Sequence, residues 1–271
     1  MSRFHSLKIA DVRQETEDAV SVAFDVPPEA RDAFSFAPGQ YLTLRADVNG
    51  APVQRTYSIC SGLDEGELRV AIKRVDGGVF SNFANDNLSA GMELDVMAPD
   101  GRFTAVPSAE VAHHYVAFSA GSGITPIFSI VKTMLRNEPD STFTLFYGNR
   151  DRASVIFREQ LEDLKDRFME RFTLVHVLSR EGQDVDLLHG RLDADRIQRF
   201  AASGLFDPPA VSCFFLCGPG NMIAENRLTL ENLGVPSDRI RFELFTPAEG
   251  SPPPKARSQE ARAAAEKGVA I

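Results

Sequence analysis

Cysteine is scarce in this chain: 271 residues contain three, Cys60, Cys213 and Cys217, each in an apolar setting. They are too few for a disulfide framework. They share no metal-ligand spacing with His5, His113, His114, His176 or His189, so no metal is expected and each histidine reads as a satisfied core or surface residue. No apolar run approaches the ~20 residues needed to cross a bilayer. The opening MSRFHSLKIADV also lacks the apolar core of a signal peptide. These absences predict a cytoplasmic protein without membrane contact. Positive charge is short as well: 29 basic against 38 acidic residues leave a net charge of −9, which argues against a nucleic-acid surface. A hydrolase elbow is missing, because Ala120 and Ile124 flank Gly121-Ser122-Gly123 where Gly-x-Ser-x-Gly requires glycines.

Hydrophobic residues, at 43%, are plentiful enough for two ordinary cores. To about Pro107 the apolar residues alternate, as in Val20, Val22, Phe24, Val26 and in Leu68, Val70, Ile72. Such alternation marks half-buried strands. Further strands are expected at Leu7 to Val12, Gln40 to Ala46, Val53 to Cys60 and Glu93 to Met97, with one helix at Val79 to Leu88. Closely spaced strands of this kind predict an antiparallel β-barrel or sandwich over residues 1–108. From Ala109 the rhythm changes to short apolar runs, at Tyr115, Thr142 to Tyr147, Phe172 to Leu178, Cys213 to Cys217 and Ile240 to Phe245, separated by helical spacing. That alternation predicts an α/β parallel sheet over 109–245, with ligands at the C-terminal strand ends. Residues 246–271 contain Pro252-Pro253-Pro254 and an Ala-rich run, and read as a linker or tail.

The stretch Tyr115 to Ile130 reads as strand, tight turn and helix. Gly121 and Gly123 permit a sharp turn and the close approach of a ligand, and Pro126 suits a helix's first turn. Free amides at a helix start favour a phosphate; an ordinary strand-to-helix turn is the alternative. In Arg55-Thr56-Tyr57-Ser58, alternation puts Arg55 and Tyr57 on one face, and Thr56 and Ser58 on the other. A cation beside an aromatic ring could hold a phosphate and cover a flat heterocycle. It could equally be a solvated Arg next to a half-buried Tyr.

Four motifs in order, Arg-x-Tyr-Ser at 55–58, Gly-Gly-x-Phe-Ser at 77–81, Gly-x-Gly-x-Thr-Pro at 121–126 and Cys-Gly-Pro at 217–219, resemble the ferredoxin-NADP reductase superfamily from about Phe4 to Phe245. Within it, Tyr147-Gly148-Asn149-Arg150 and a helix at Ile156-Phe157-Arg158 are most similar to the reductase components of phenylacetyl-CoA ring epoxidases. The resemblance implies an FAD-dependent NAD(P)H oxidoreductase. Arg55 would then meet the flavin's phosphate side, with Thr56 beside it; Tyr57 would stack on the isoalloxazine and Ser58 would bond near N5, where hydride arrives. Ile72, Lys73 and Arg74 would frame the FAD, and Gly77, Gly78, Val79, Phe80 and Ser81 would offer a helix start to its pyrophosphate, in agreement with helix-end physics. Gly121, Gly123, Thr125 and Pro126 would receive the pyridine nucleotide, with Arg150 at the end of the next strand. Cys217, Gly218 and Pro219 would lie beside its nicotinamide, Pro219 as the first helical residue. Glu243-Leu244-Phe245 resembles the acid-x-aromatic ending of many members, with Phe245 shielding the flavin, although here the chain runs on. Ser58, Cys217 and Glu243 would be the polar neighbours of the hydride path; otherwise Cys217 is a small hydrophobe and Glu243 faces water.

An NAD site commonly places a carboxylate about 20 residues after the glycines, yet Phe146 to Arg150 contains no acid. Ser179 and Arg180 follow the third strand, and a hydroxyl with a guanidinium matches a 2′-phosphate. NADPH is therefore expected, against a merely solvated Arg180. The epoxidase reductases carry a C-terminal ferredoxin domain, whose cluster needs four cysteines. None follows Cys217. Electrons would pass singly either to a ferredoxin domain missing from a truncated chain, or to a separate acceptor protein such as a ferredoxin, flavodoxin or oxygenase component. A stand-alone ferredoxin reductase and a non-catalytic, redox-sensing flavin protein are the other two readings.

Overall fold

A computed structural model describes residues 4–245. Alternating strands build its first half. β1 (Phe4–Thr16) pairs antiparallel with β2 (Ala19–Asp25) and with β6 (Glu93–Met97), while β3 (Tyr41–Val48) pairs with β4 (Ala51–Ser58) and β6, and β2 with β5 (Leu68–Lys73). The sheet order is β4-β3-β6-β1-β2-β5. An isolated bridge between Ile59 and Val70 draws the two outer strands together and closes the barrel. The alternate residues predicted to face inward do so: Val20, Val22, Val70 and Ile72 join Leu7, Leu42 and Leu44 in one core, which Phe80 of α1 (Val79–Asn87) enters from the end. β1 is longer than expected because register shifts between Ile9 and Asp11 and between Gln14 and Thr16 let the strand bend and continue.

The second half is a parallel sheet of order β11-β10-β7-β8-β9, formed by β7 (His114–Ala120), β8 (Thr142–Asn149), β9 (Phe172–Leu178), β10 (Cys213–Gly218) and β11 (Ile240–Leu244). Tyr115 and Ala117 of β7 pack under α2 (Ile124–Asn137) and α3 (Arg158–Arg167), and Val116 and Phe118 under α4 (Ala194–Ala202) and α5 (Gly220–Asn232). Both faces of the sheet are thus covered, which is why its strands are runs of apolar residues rather than alternations.

Three local expectations change. α3 begins at Arg158, after Ile156 and a left-handed Phe157 (φ 61°), because those two side chains are buried in the core before the helix starts. Pro219 is the N-cap of α5 and Gly220 its first helical residue. α4 has no counterpart among the predicted elements, since its buried face consists of Arg196, Ile197 and Phe200 alone. Asp193 starts it by accepting from the Arg196 N–H at 3.1 Å. The 246–271 linker or tail lies outside the described residues.

The two halves meet along α2. Ser129 Oγ donates to the Ser61 carbonyl at 2.6 Å, Thr133 Oγ1 accepts from the Leu63 N–H at 3.3 Å, and Lys132 and Arg136 pair with Glu65. An interface on one side and the sheet on the other leave α2 no solvated face, so even Lys132 is buried.

Candidate active site at the barrel and sheet seam

On the barrel side, β4 carries Arg55 and Tyr57 opposite Leu44 and Leu42, hence on the face shared with the core. Tyr57 is half-buried, and its ring lies 5.6 Å from that of Phe80; burial pushes its phenol well above the usual range. Arg55 reaches the Gln54 carbonyl at 2.6 Å and forms no salt bridge among the described residues. Thr56 is exposed, and Ser58 is buried on the opposite face, beside Tyr41. Ile72 is core. Lys73 approaches Asp18 at 3.7 Å, whereas Arg74 pairs with Asp86 at 2.7 Å. Ahead of α1, Gly77 is left-handed (φ 69°) with open space about it, and Gly78 is the N-cap. Val79 is exposed, Phe80 is buried, and the Ser81 hydroxyl turns back to accept from the Val75 N–H at 3.1 Å, bracing the turn.

On the sheet side, the two glycines of the turn after β7 serve different ends. Gly121 is left-handed (φ 55°) and open, whereas a Cβ on Gly123 would stand 2.2 Å from the Cys217 carbonyl oxygen. Thr125 Oγ1 donates to the Ser122 carbonyl at 2.9 Å, and Pro126 is buried in the first turn of α2. Asn149, at the end of β8, accepts from the Ser179 N–H and Oγ–H at 3.0 and 3.3 Å. Arg180 follows, with an exposed side chain and its N–H on the Arg150 carbonyl at 2.7 Å. The Arg150 guanidinium instead crosses to Asp18 of the barrel at 3.2 Å.

At the seam Ser58 Oγ donates to Glu243 Oε2 at 3.2 Å, joining residues 185 positions apart. Glu243 is the cross-strand neighbour of Cys217 in β10 and β11. Burial raises the Glu243 carboxyl to about 7 against the opposing hydrogen bond from Ser58. Burial also raises the Cys217 thiol far up, with the Glu243 carboxylate adding to it, so Cys217 is a protonated thiol at neutral pH. Gly218 and the exposed Pro219 follow it; Phe245, 41% exposed, lies one residue past the end of β11. The structure thus assembles Ser58, Glu243 and Cys217 around one point and sets both glycine turns at helix starts, which are the features that phosphates and a flat ring require. Left-handed Gly77 and Gly121, each with room above it, fit close-approaching phosphate groups. Sequence reasoning missed Asp18, which ties Arg150 and Lys73 together, and Tyr41, whose phenol is raised by burial and by the nearby Asp100 and Glu243 carboxylates. Neither carries a local signal; only the docking of the two halves distinguishes them.

Comparison with known proteins bears on both halves. Residues 6–105 match the oxidoreductase FAD-binding domain model and residues 118–227 the oxidoreductase NAD-binding domain model. The chain is 44% identical over 245 residues to one component of the 1,2-phenylacetyl-CoA epoxidase of Escherichia coli (strain K12), spanning 90% of this chain and 68% of that protein. It is 37% identical over 254 residues to the ferredoxin reductase component of 3-ketosteroid-9-alpha-monooxygenase of Rhodococcus rhodochrous, spanning 93% of this chain and 68% of that one. Among solved structures, an Amycolatopsis cytochrome P450 reductase superposes with a TM-score of 0.76 at 25% identity, over 92% of this chain and 72% of that one.

Proposed function

The chain belongs to the ferredoxin-NADP reductase family of FAD- and NAD-binding oxidoreductases, and from that premise we propose that it takes electrons from NADPH and passes them singly to an iron–sulfur centre or oxygenase, as the reductase component of a phenylacetyl-CoA epoxidase-like system. The observation that carries the reading is the seam contact: Ser58 of the barrel bonded to Glu243 beside Cys217 of the sheet. One group bound on β4 and another bound at the strand ends would meet there. FAD, when bound, accepts two electrons from a nicotinamide and releases them one at a time.

The residues of this chain supply position and electrostatics. Arg55 would hold a phosphate of the flavin, with Thr56 at its side; Tyr57, backed by Phe80, would cover the ring; and the turn from Gly77 through Ser81 would present the N–H groups of α1 to the pyrophosphate, with Ile72, Lys73 and Arg74 along its edge. Gly121, Gly123, Thr125 and Pro126 would seat the pyridine nucleotide's phosphates, and Arg150, Ser179 and Arg180 its adenosine end. Cys217, Gly218 and Pro219 would shape the nicotinamide slot, and Phe245 would flank the ring. Near pH 7 the Glu243 carboxyl holds or gives up a proton beside Ser58, which suits a group that adjusts charge at the reacting centre. The exposed Arg180 next to Ser179 favours the 2′-phosphate of NADPH. A cytoplasmic setting fits the three buried free thiols. The two relatives, each named as part of an oxygenase system, support an acceptor of that class.

An anaerobic spectrum of the purified protein tests this. A yellow protein bleached at lower NADPH than NADH is the expected result. A colourless protein that takes up no FAD would overturn it, and a yellow one that neither nucleotide bleaches would leave a redox-sensing protein.

A further inference from the structure

Tyr147 sits in the middle of the sheet, directly opposite Ser119 of β7, and is fully buried. Its ring belongs to the core beneath α2 and lies 6.0 Å from that of His176, where a phenylalanine would spare the cost of burying a hydroxyl. Its hydroxyl donates to the Gly121 carbonyl at 3.0 Å, with the Asn149 side chain and the Ile156 backbone N–H also directed at it. Burial holds the phenol far above its usual range, so it remains a donor at every physiological pH.

The Gly121 carbonyl opens the turn and also accepts from the Ile124 N–H. A trans peptide is planar, with its C=O and N–H pointing opposite ways. Drawing the Gly121 oxygen down onto Tyr147 therefore turns the Ser122 N–H up, away from the sheet and toward the half-exposed side of the turn. Apart from the Ile124 N–H, little else fixes that orientation, because a glycine at φ 55° with nothing within 4 Å of a Cβ puts few steric limits on its own peptide. The other end of the turn is fixed by a different element, Gly123 against Cys217 of β10.

We infer that Tyr147 is a positioning residue for pyridine-nucleotide binding, its hydroxyl locking the Gly121–Ser122 peptide so that the Ser122 N–H faces the nucleotide's pyrophosphate. The inference rests on the reading of the Gly121 turn as the nucleotide site. Successive N–H groups of a turn bind an anion only while they converge, and one rotated peptide replaces a donor with a repelling carbonyl.

The test uses the flavin-loaded full chain with Tyr147→Phe, titrated with NADP+ or NAD+, whichever reduced form bleaches the unmodified protein. The Kd for the nucleotide should rise about fivefold, the worth of one hydrogen bond. The KM should rise with it, while kcat with ferricyanide stays within about twofold and flavin content is unchanged. An unchanged Kd overturns the assignment, as does a fall in kcat that matches the rise in KM, or a loss confined to thermal stability or flavin content. Failure of the nucleotide-site reading shows separately and earlier, because the unmodified protein would then be bleached by neither nucleotide, and the assignment would fall with it.

Discussion

The turn at Gly77-Gly78 ahead of α1 and the turn at Gly121 to Gly123 ahead of α2 look alike as sequence, a pair of glycines before a helix, yet they are held in opposite ways. At the first, three of the nine residues of α1 are buried, and the bracing comes from a side chain close in sequence, Ser81 on the Val75 N–H. At the second, twelve of the fourteen residues of α2 are buried, and the bracing comes from strands far along the chain, Cys217 of β10 and Tyr147 of β8. A turn fastened locally can adjust to its ligand. One fastened to a sheet is set before the ligand arrives, which lowers the ordering cost of binding.

The largest effect that would break this comparison is expected at Gly123. Gly123→Ala drives a Cβ to 2.2 Å from the Cys217 carbonyl, backbone against backbone, and should cost at least about 3 kcal/mol, lowering the melting temperature by roughly 10 °C. Thermal melts of this variant beside Gly121→Ala, which meets no neighbour, would contradict the fastened-turn picture if the two lost the same stability. On the barrel side, Arg55→Ala should weaken FAD binding by roughly tenfold or more, the scale of one charged hydrogen bond, while the affinity for NADP+ stays near that of the unmodified protein. Fluorescence titration of the apoprotein reads both.

The seam between the two regions has its own pH signature. The Glu243 carboxyl is raised to about 7 in the folded protein from an ordinary value of 4.5, so its protonated form is the one that folding favours. Its contribution to stability is fully present below pH 4.5 and is lost as pH rises through about 7. Glu243→Gln should therefore melt like the unmodified protein at pH 5 and above it by a few degrees at pH 8, and it should lose any limb near pH 7 in the pH profile of flavin reduction. Parallel curves at the two pH values would show that the carboxyl is not desolvated at the seam. The smallest effect is expected at Gly77: Gly77→Ala meets no atom, so only its left-handed backbone is strained, by about 1 kcal/mol. A loss of FAD affinity well beyond about fivefold would mean that this turn is as rigidly set as its counterpart.

Much of the fold was legible because its signals are local. The alternation at Val20, Val22 and Phe24, the apolar runs of the parallel strands and the glycines and prolines at turns each act within a few residues, and the motifs from Arg55 to Pro219 lie in the order that the family requires. Element ends were less so: Phe157 holds to the helical period, yet it packs in a left-handed conformation outside α3, and α4 shows too short an apolar face to be read. Within the candidate site, residue types were readable but their partners were not. Arg150 was expected to attend the nucleotide, and its guanidinium is held by Asp18, 132 residues away.

Short segments of the chain settled the strand rhythms, the two glycine turns and the family, since periodicity, backbone freedom and motif order are properties of such segments. The docked structure alone set that Ser58 reaches Glu243, that Glu243 titrates near 7, that Gly123 packs against the Cys217 backbone, and that Tyr147 holds the Gly121 carbonyl. Desolvation and close contact between distant segments depend on how the barrel and the sheet are docked, and that docking is written in no single stretch of the chain.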